Sequence, residues 1–244
     1  MSVVFRREGK RGRIEVRRAG GTLRLYLGGV LSSHGNPRHA LTGGYWDGLG
    51  TAPLLSPAPC GSALVLGVGG GGVLHVLRRI ASLRSIVGVE IDREVLAIAR
   101  KHFPLDGKDA AFVIADAFGF VRRCRRKFDL VADDVYGVVA GEATRPKNAG
   151  RAWFESLARR LTPTGVLAVN FVDGAAREAA DPDLLPVLEC RFASSFVFRF
   201  DAYYNEVVAA CRAKSSVHRF ERALSDVLSK SAFAGRRFTV SPYP

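Results

Sequence analysis

The stretch Ala63-Leu64-Val65-Leu66-Gly67-Val68-Gly69-Gly70-Gly71-Gly72-Val73-Leu74 decides the fold. It opens on an unbroken apolar run, the pattern of a parallel strand buried on both faces. Gly67, Gly69 and Gly72 then satisfy G-x-G-x-x-G, and a helix is expected over 73–81. Working outward, 85–90 reads as a second strand ending on Glu90. Residues 93–102 read as a helix that packs through Val95, Leu96, Ile98 and Ala99. Strands follow at 111–114, leading to Asp116, at 128–132, leading to Asp133, and at 166–169, with a helix over 150–160 before the last. Strands that alternate with helices in this way argue for a doubly wound parallel sheet. Glycines at the first turn let the backbone approach a ligand closely. Glu90, roughly 20 residues on, is placed to accept from both hydroxyls of a ribose. The pattern is that of a nucleoside site.

The flanks read differently. Arg13-Ile14-Glu15-Val16-Arg17 and Leu23-Arg24-Leu25-Tyr26-Leu27 alternate apolar with polar residues on either side of Gly20-Gly21, as a β-hairpin does. Val30-Leu31 suggests a further short strand, 32–44 a loop, and 45–55 a short helix weakened by Gly48 and Gly50. Near the other end, 195–200 and 205–211 form a second hairpin pattern, 217–228 an amphipathic helix, and the last dozen residues a mobile tail. The expected division is 1–56 as an N-terminal hairpin and lid region, 57–212 as the nucleoside-binding domain, and 213–244 as C-terminal helix and tail.

The 244 residues carry 36 Lys+Arg against 23 Asp+Glu, a net charge of +13. The basic residues crowd at Arg6 to Arg18 and again at Arg122, Arg123, Arg125, Arg126 and Lys127. Such clusters read either as solvated surface or as a footprint for nucleic acid. No stacking-rich RNA motif accompanies them, so a nucleic-acid partner is not favoured and a small-molecule substrate is. With 48% hydrophobic residues the chain is not disordered, and no apolar run is long enough for a membrane helix. Cys60, Cys124, Cys190 and Cys211 are scattered without C-x-x-C or Cys/His spacing. They are expected as reduced thiols of a cytoplasmic protein without structural zinc. Ser-His-Asp, H-E-x-x-H and P-loop lysine patterns are absent.

Several of these segments together resemble the spermidine synthase (polyamine aminopropyltransferase) family. They are the glycine stretch above, Val89-Glu90-Ile91-Asp92, Asp116-Ala117 and Phe128-Asp129-Leu130, with Tyr45-Trp46-Asp47 at the spacing of that family's Tyr-His/Gln-Glu element. The resemblance implies a class I methyltransferase-like Rossmann fold: a mostly parallel seven-stranded sheet closed by the antiparallel hairpin, with a small N-terminal β-hairpin domain. It also implies a homodimer and an S-adenosyl nucleoside, either S-adenosylmethionine or its decarboxylated form. Gly67, Gly69, Gly70, Glu90, Asp116 and Ala117 would then hold the nucleoside, with Asp116 accepting from the adenine amino group. Asp133 and Tyr136 would face the reacting centre, Asp133 positioning the acceptor or taking its proton.

The departures from the family pattern bear on the reaction. Gly70 stands where the family carries the Asp of its glycine loop, and Tyr136 replaces the second Asp of the catalytic loop. Leu41-Thr42 replaces an acidic pair, with Asp47 and Asp134 as partial compensation. Fewer carboxylates suit a polyamine less, because an unpaired buried ammonium is costly. On these grounds methyl transfer is narrowly preferred, with aminopropyl transfer and a non-catalytic nucleoside-binding protein as alternatives. Glu90→Ala should weaken nucleoside affinity at least roughly tenfold with the fold intact, since a hydrogen bond to a charged group contributes about 1.5–3 kcal/mol; calorimetry measures it.

Overall fold

The computed structural model describes residues 1–243. The chain begins with four antiparallel strands in the order β1-β2-β3-β4: β1 (Ser2–Gly9), β2 (Gly12–Ala19), β3 (Thr22–Leu27) and β4 (Val30–Gly35). The hairpin expected from the alternating residues is β2-β3, with one further strand on each side. Next come α1 (Trp46–Thr51), a 3₁₀ turn (Ala52–Leu55), β5 (Ser62–Leu66), α2 (Gly72–Ile80), β6 (Ser85–Glu90), α3 (Arg93–His102) and β7 (Ala110–Ile114). The apolar side chains of the small sheet, Ile14, Val16 and Leu25, pack on Val95 and Ile98 of α3 and on Phe103.

The second half contains α4 (Ala117–Arg123), β8 (Phe128–Asp133), a small hairpin of β9 (Gly137–Val139) and β10 (Glu142–Thr144), α5 (Arg151–Ala158) and β11 (Leu161–Phe171). It ends with α6 (Gly174–Arg191), β12 (Ser194–Phe200), β13 (Tyr203–Cys211), α7 (Val217–Val227), α8 (Lys230–Ala234) and β14 (Phe238–Pro242). The large sheet runs β14-β12-β13-β11-β8-β5-β6-β7. The five strands from β11 to β7 are mutually parallel, while β13, β12 and β14 join antiparallel. Helices cover both faces. Trp46 and Leu49 of α1, Val73 and Leu77 of α2 and Phe220 of α7 lie over one face. Val121 of α4, Trp153 and Phe154 of α5 and Leu184 of α6 lie over the other.

Two details correct the sequence reading, and one element lies where it placed none. The large sheet has eight strands instead of seven, because the segment expected as a mobile tail pairs with β12 as β14. Its Phe238 is buried among Phe198, Phe200 and Phe220, and this apolar anchor outweighs the basic, Pro-containing composition around it. Residues 174–191 form a helix despite Pro182 and Pro186, since Leu184, Val187 and Leu188 bury on the sheet while Pro182 stays exposed. Gly48 and Gly50 are required by the packing of α1. A Cβ at Gly48 would lie 2.7 Å from the Phe200 ring, and one at Gly50 would lie 2.5 Å from Val76. Glycine is what lets α1 sit this close to its neighbours. Phe238→Ala should destabilise the protein by about 3–5 kcal/mol, read as a lower urea midpoint.

Candidate active site

The glycine turn, the carboxyl ends of β5, β6 and β8 and the β9-β10 hairpin enclose a cavity of about 330 Å³. Its place is the crevice outside the strand ends where open α/β sheets bind ligands. Gly67 and Gly69 have φ of 82° and 50°, a region that side chains disfavour. At Gly67 a Cβ would also lie 2.2 Å from the carbonyl oxygen of Asp134. The turn is therefore pressed directly onto the end of β8. Glu90 ends β6, where its two carboxylate oxygens accept from the backbone N–H of Gly69 (3.1 Å) and of Asp92 (3.0 Å). Burial raises its pKa against those hydrogen bonds. Asp116 caps α4 by accepting from Gly119 N–H at 2.7 Å, and it lines the cavity together with Ala117.

Gly67, Gly69, Glu90, Asp116, Ala117 and Tyr136 thus border one cavity. Gly70 does not. It turns the other way, toward a second cavity shared with His34 and His75. A Cβ there would meet Ser33 at 3.0 Å and the Phe103 ring at 3.3 Å. A side chain at position 70 would start toward Ser33 and Phe103, away from the first cavity, which weakens the argument for methyl transfer drawn from Gly70.

Adjacent carboxylates at the end of β8 have opposite fates. Asp133 is 0% exposed and is not among the residues that line this cavity. It shares the face of Val131, the face that α5 covers. Its Oδ2 accepts from Trp153 Nε1 at 2.8 Å and pairs with Arg145 at 2.5 Å. The Arg145 side chain is 16% exposed; it also donates to the backbone carbonyl of Asn170 and lies between the rings of Tyr136, Phe154 and Phe171. Asp134, one residue on, lines the cavity. Its Oδ1 accepts from the Asn170 amide at 2.8 Å. Burial lifts its pKa to about 7, with the Asp133 charge adding and Asn170 and Arg145 opposing. Tyr45 lies close enough for burial and the Asp134 charge to raise its own pKa. Tyr136 completes the wall, its hydroxyl donating to the Asn170 carbonyl at 2.7 Å.

Asp47 does not reach this site. It is 1% exposed, and its carboxylate accepts from Thr42 and Gly43 to clamp the preceding loop. The sequence reading missed Arg145 and left Asn170, at the end of its fifth strand, evenly open between a site role and none. The Asp133-Asp134 doublet was the usable signal for the division of labour. Along a strand two neighbours point to opposite faces, so one of the two had to turn inward.

The spermine/spermidine synthase domain model matches residues 30–171, more than half of the chain. The chain belongs to the spermine/spermidine synthase family. A polyamine aminopropyltransferase from Pectobacterium atrosepticum is 32% identical over 137 residues, covering 52% of this chain and 45% of that protein. A spermine synthase from Arabidopsis thaliana is 33% identical over 132 residues, covering 50% of this chain and 35% of that protein. The matches span less than half of these family members. A probable spermidine synthase from Corynebacterium glutamicum superposes with a TM-score of 0.76 at 18% identity, over 99% of this chain and 91% of that one. The likeness confirms the fold.

Of the basic clusters, only Arg11 reaches the cavity. Arg122, Arg123, Arg125, Arg126 and Lys127 are exposed at the end of α4, while Arg6, Arg13 and Arg17 converge on the buried Glu15. Among the described residues no cluster could hold a metal ion, and no helix is long and apolar enough to cross a membrane. Asp133→Asn should cost about 3–5 kcal/mol of stability, because it strands the Arg145 charge in the interior; urea unfolding measures the loss.

Proposed function

We propose that this chain transfers an aminopropyl group to an amine, with decarboxylated S-adenosylmethionine as donor. The observation that carries the reading is Asp134, a carboxylate with a pKa of about 7 facing a cavity beside the glycine turn. Apart from its tyrosines, the titratable side chains of that cavity are Glu90, Asp116 and Asp134 against Arg11. An acidic lining inside a chain of net charge +13 suits a ligand that carries a sulfonium and an ammonium. The names of the relatives favour aminopropyl over methyl transfer.

The residues present fit such a nucleoside. Glu90 presents a buried carboxylate held by two backbone donors, in position for ribose hydroxyls. Asp116 and Ala117 border the place of the base, and the bare backbone at Gly67 and Gly69 allows close approach. When bound, the nucleoside supplies a sulfonium that makes its neighbouring carbon open to attack. The chain holds the amine against Tyr45 and Tyr136, near its target. Asp134 accepts the ammonium proton. The freed nitrogen lone pair forms the new C–N bond as the C–S bonding pair leaves with sulfur. A carboxylate at its ordinary pKa of 3.8 would be a weaker base, and the shift to about 7 brings Asp134 close to working pH.

The same shift has a stability sign. Asp134 holds its proton more tightly folded than unfolded, so its contribution to stability falls as pH rises from about 4 toward about 7. Turnover should rise through pH of about 7 and then level, as Asp134 ionises. Asp134→Asn should lose that rise and most of the rate, about 10²–10⁴-fold, with nucleoside affinity within a few-fold. Mass spectrometry of the amine product, with each of the two S-adenosyl donors in turn, separates the reactions. Methylated product only would establish methyl transfer instead, and no product with any amine would establish a binding protein.

A further inference from the structure

We infer that the acceptor is a primary monoamine with an apolar chain, and not a di- or polyamine. The inference rests on the aminopropyl-transfer reading. Glu90 and Asp116 lie at the glycine turn and the head of α4, in position for the nucleoside. That leaves Asp134 as the carboxylate on the remaining wall among the described residues. Two further acids that the sequence offered are engaged outside the cavity. Asp133 is neutralised by Arg145 and bonded to Trp153, while Asp47 is bound up in its own loop.

Position 136 presents a phenol whose hydroxyl is taken by the Asn170 carbonyl. Behind that ring stands the Arg145 guanidinium, with its Cζ 5.7 Å from the ring centroid. The rest of the wall includes Leu31, Tyr45, Val135, Val138 and Ala143; of its polar members, Ser32 donates its hydroxyl to the Val30 carbonyl and Arg11 adds a further cation. Asn148, exposed and lining the cavity, offers a dipole without a charge. One ammonium can give its proton to Asp134. A second, further along the same molecule, would lie on apolar wall with a cation behind it and no counter-charge, which is a costly arrangement. A hydrocarbon tail meets no such penalty there.

The test compares 1-aminobutane with 1,4-diaminobutane as acceptors for the wild-type protein, with decarboxylated S-adenosylmethionine as donor and products read by mass spectrometry. These two amines differ by one amino group at equal chain length. The monoamine should show the higher kcat/KM by at least roughly tenfold, since a site without a partner for a polar group rejects it strongly. Equal values, or a preference for the diamine, would overturn the inference while leaving aminopropyl transfer in place. Product from neither amine overturns the transfer reading, and this inference with it. Tyr136→Asp supplies a second carboxylate, and Arg145 still donates to the Asn170 carbonyl in its absence. That variant should move the ratio toward the diamine by at least roughly tenfold. A variant that folds with an unchanged ratio would overturn the part assigned to position 136.

Discussion

No methyl group fits between Gly67 and the carbonyl of Asp134. This contact joins the two halves of the crevice: the turn that follows β5 and the loop that follows β8. Gly67 N–H donates to the Val89 carbonyl, and Asp134 N–H donates to the Leu66 carbonyl. The ends of β5, β6 and β8 are thereby tied together at the point where the cavity opens. Glu90 and Asp134 come to face one space because the backbone between them is allowed to touch.

The buried pair of Asp133 and Arg145 organises the opposite wall. Arg145 follows the β9-β10 hairpin in the chain, so pinning its guanidinium under β8 holds that hairpin at the cavity. Val138 of the hairpin then meets Gly28 in the turn between β3 and β4 of the small N-terminal sheet. A side chain at Gly28 would push the two apart, so glycine there keeps the cavity roofed. Buried ion pairs are weak evidence for stability, because desolvation offsets much of the attraction. Here the pair acts through geometry: it orients one loop and withdraws one carboxylate from the cavity.

Much of the central fold was legible because it is local. The apolar run, the glycine turn and the acid closing the next strand lie within 63–90, and each has a period or a spacing of its own. Glu90 and Asp116 follow from strand ends, which the parallel topology brings to one edge. What was not legible depends on distant partners. Asp133 and Asp134 differ by one step of strand parity, and only the position of Trp153 shows which of them is covered. Arg145 lies in a loop with no periodicity, and its partners Asp133 and Asn170 are 12 and 25 positions away. In α6 the packing of Leu184, Val187 and Leu188 overrides two prolines, as tertiary context often overrides local propensity.

The order in which the large sheet is completed bears on how the chain is made. Strand β12 pairs on one side with β13, its immediate successor, but on the other with β14, which follows only after two further helices. During synthesis from the N-terminal end, the outer edge of β12 waits unpaired, and the ring of Phe198 is covered only on the side of Phe220, until Phe238–Pro242 leaves the ribosome. An open strand edge beside exposed aromatic surface is where nascent chains associate wrongly. The interval between β13 and β14 is thus a window of vulnerability for the nascent protein, closed by the arrival of a single phenylalanine.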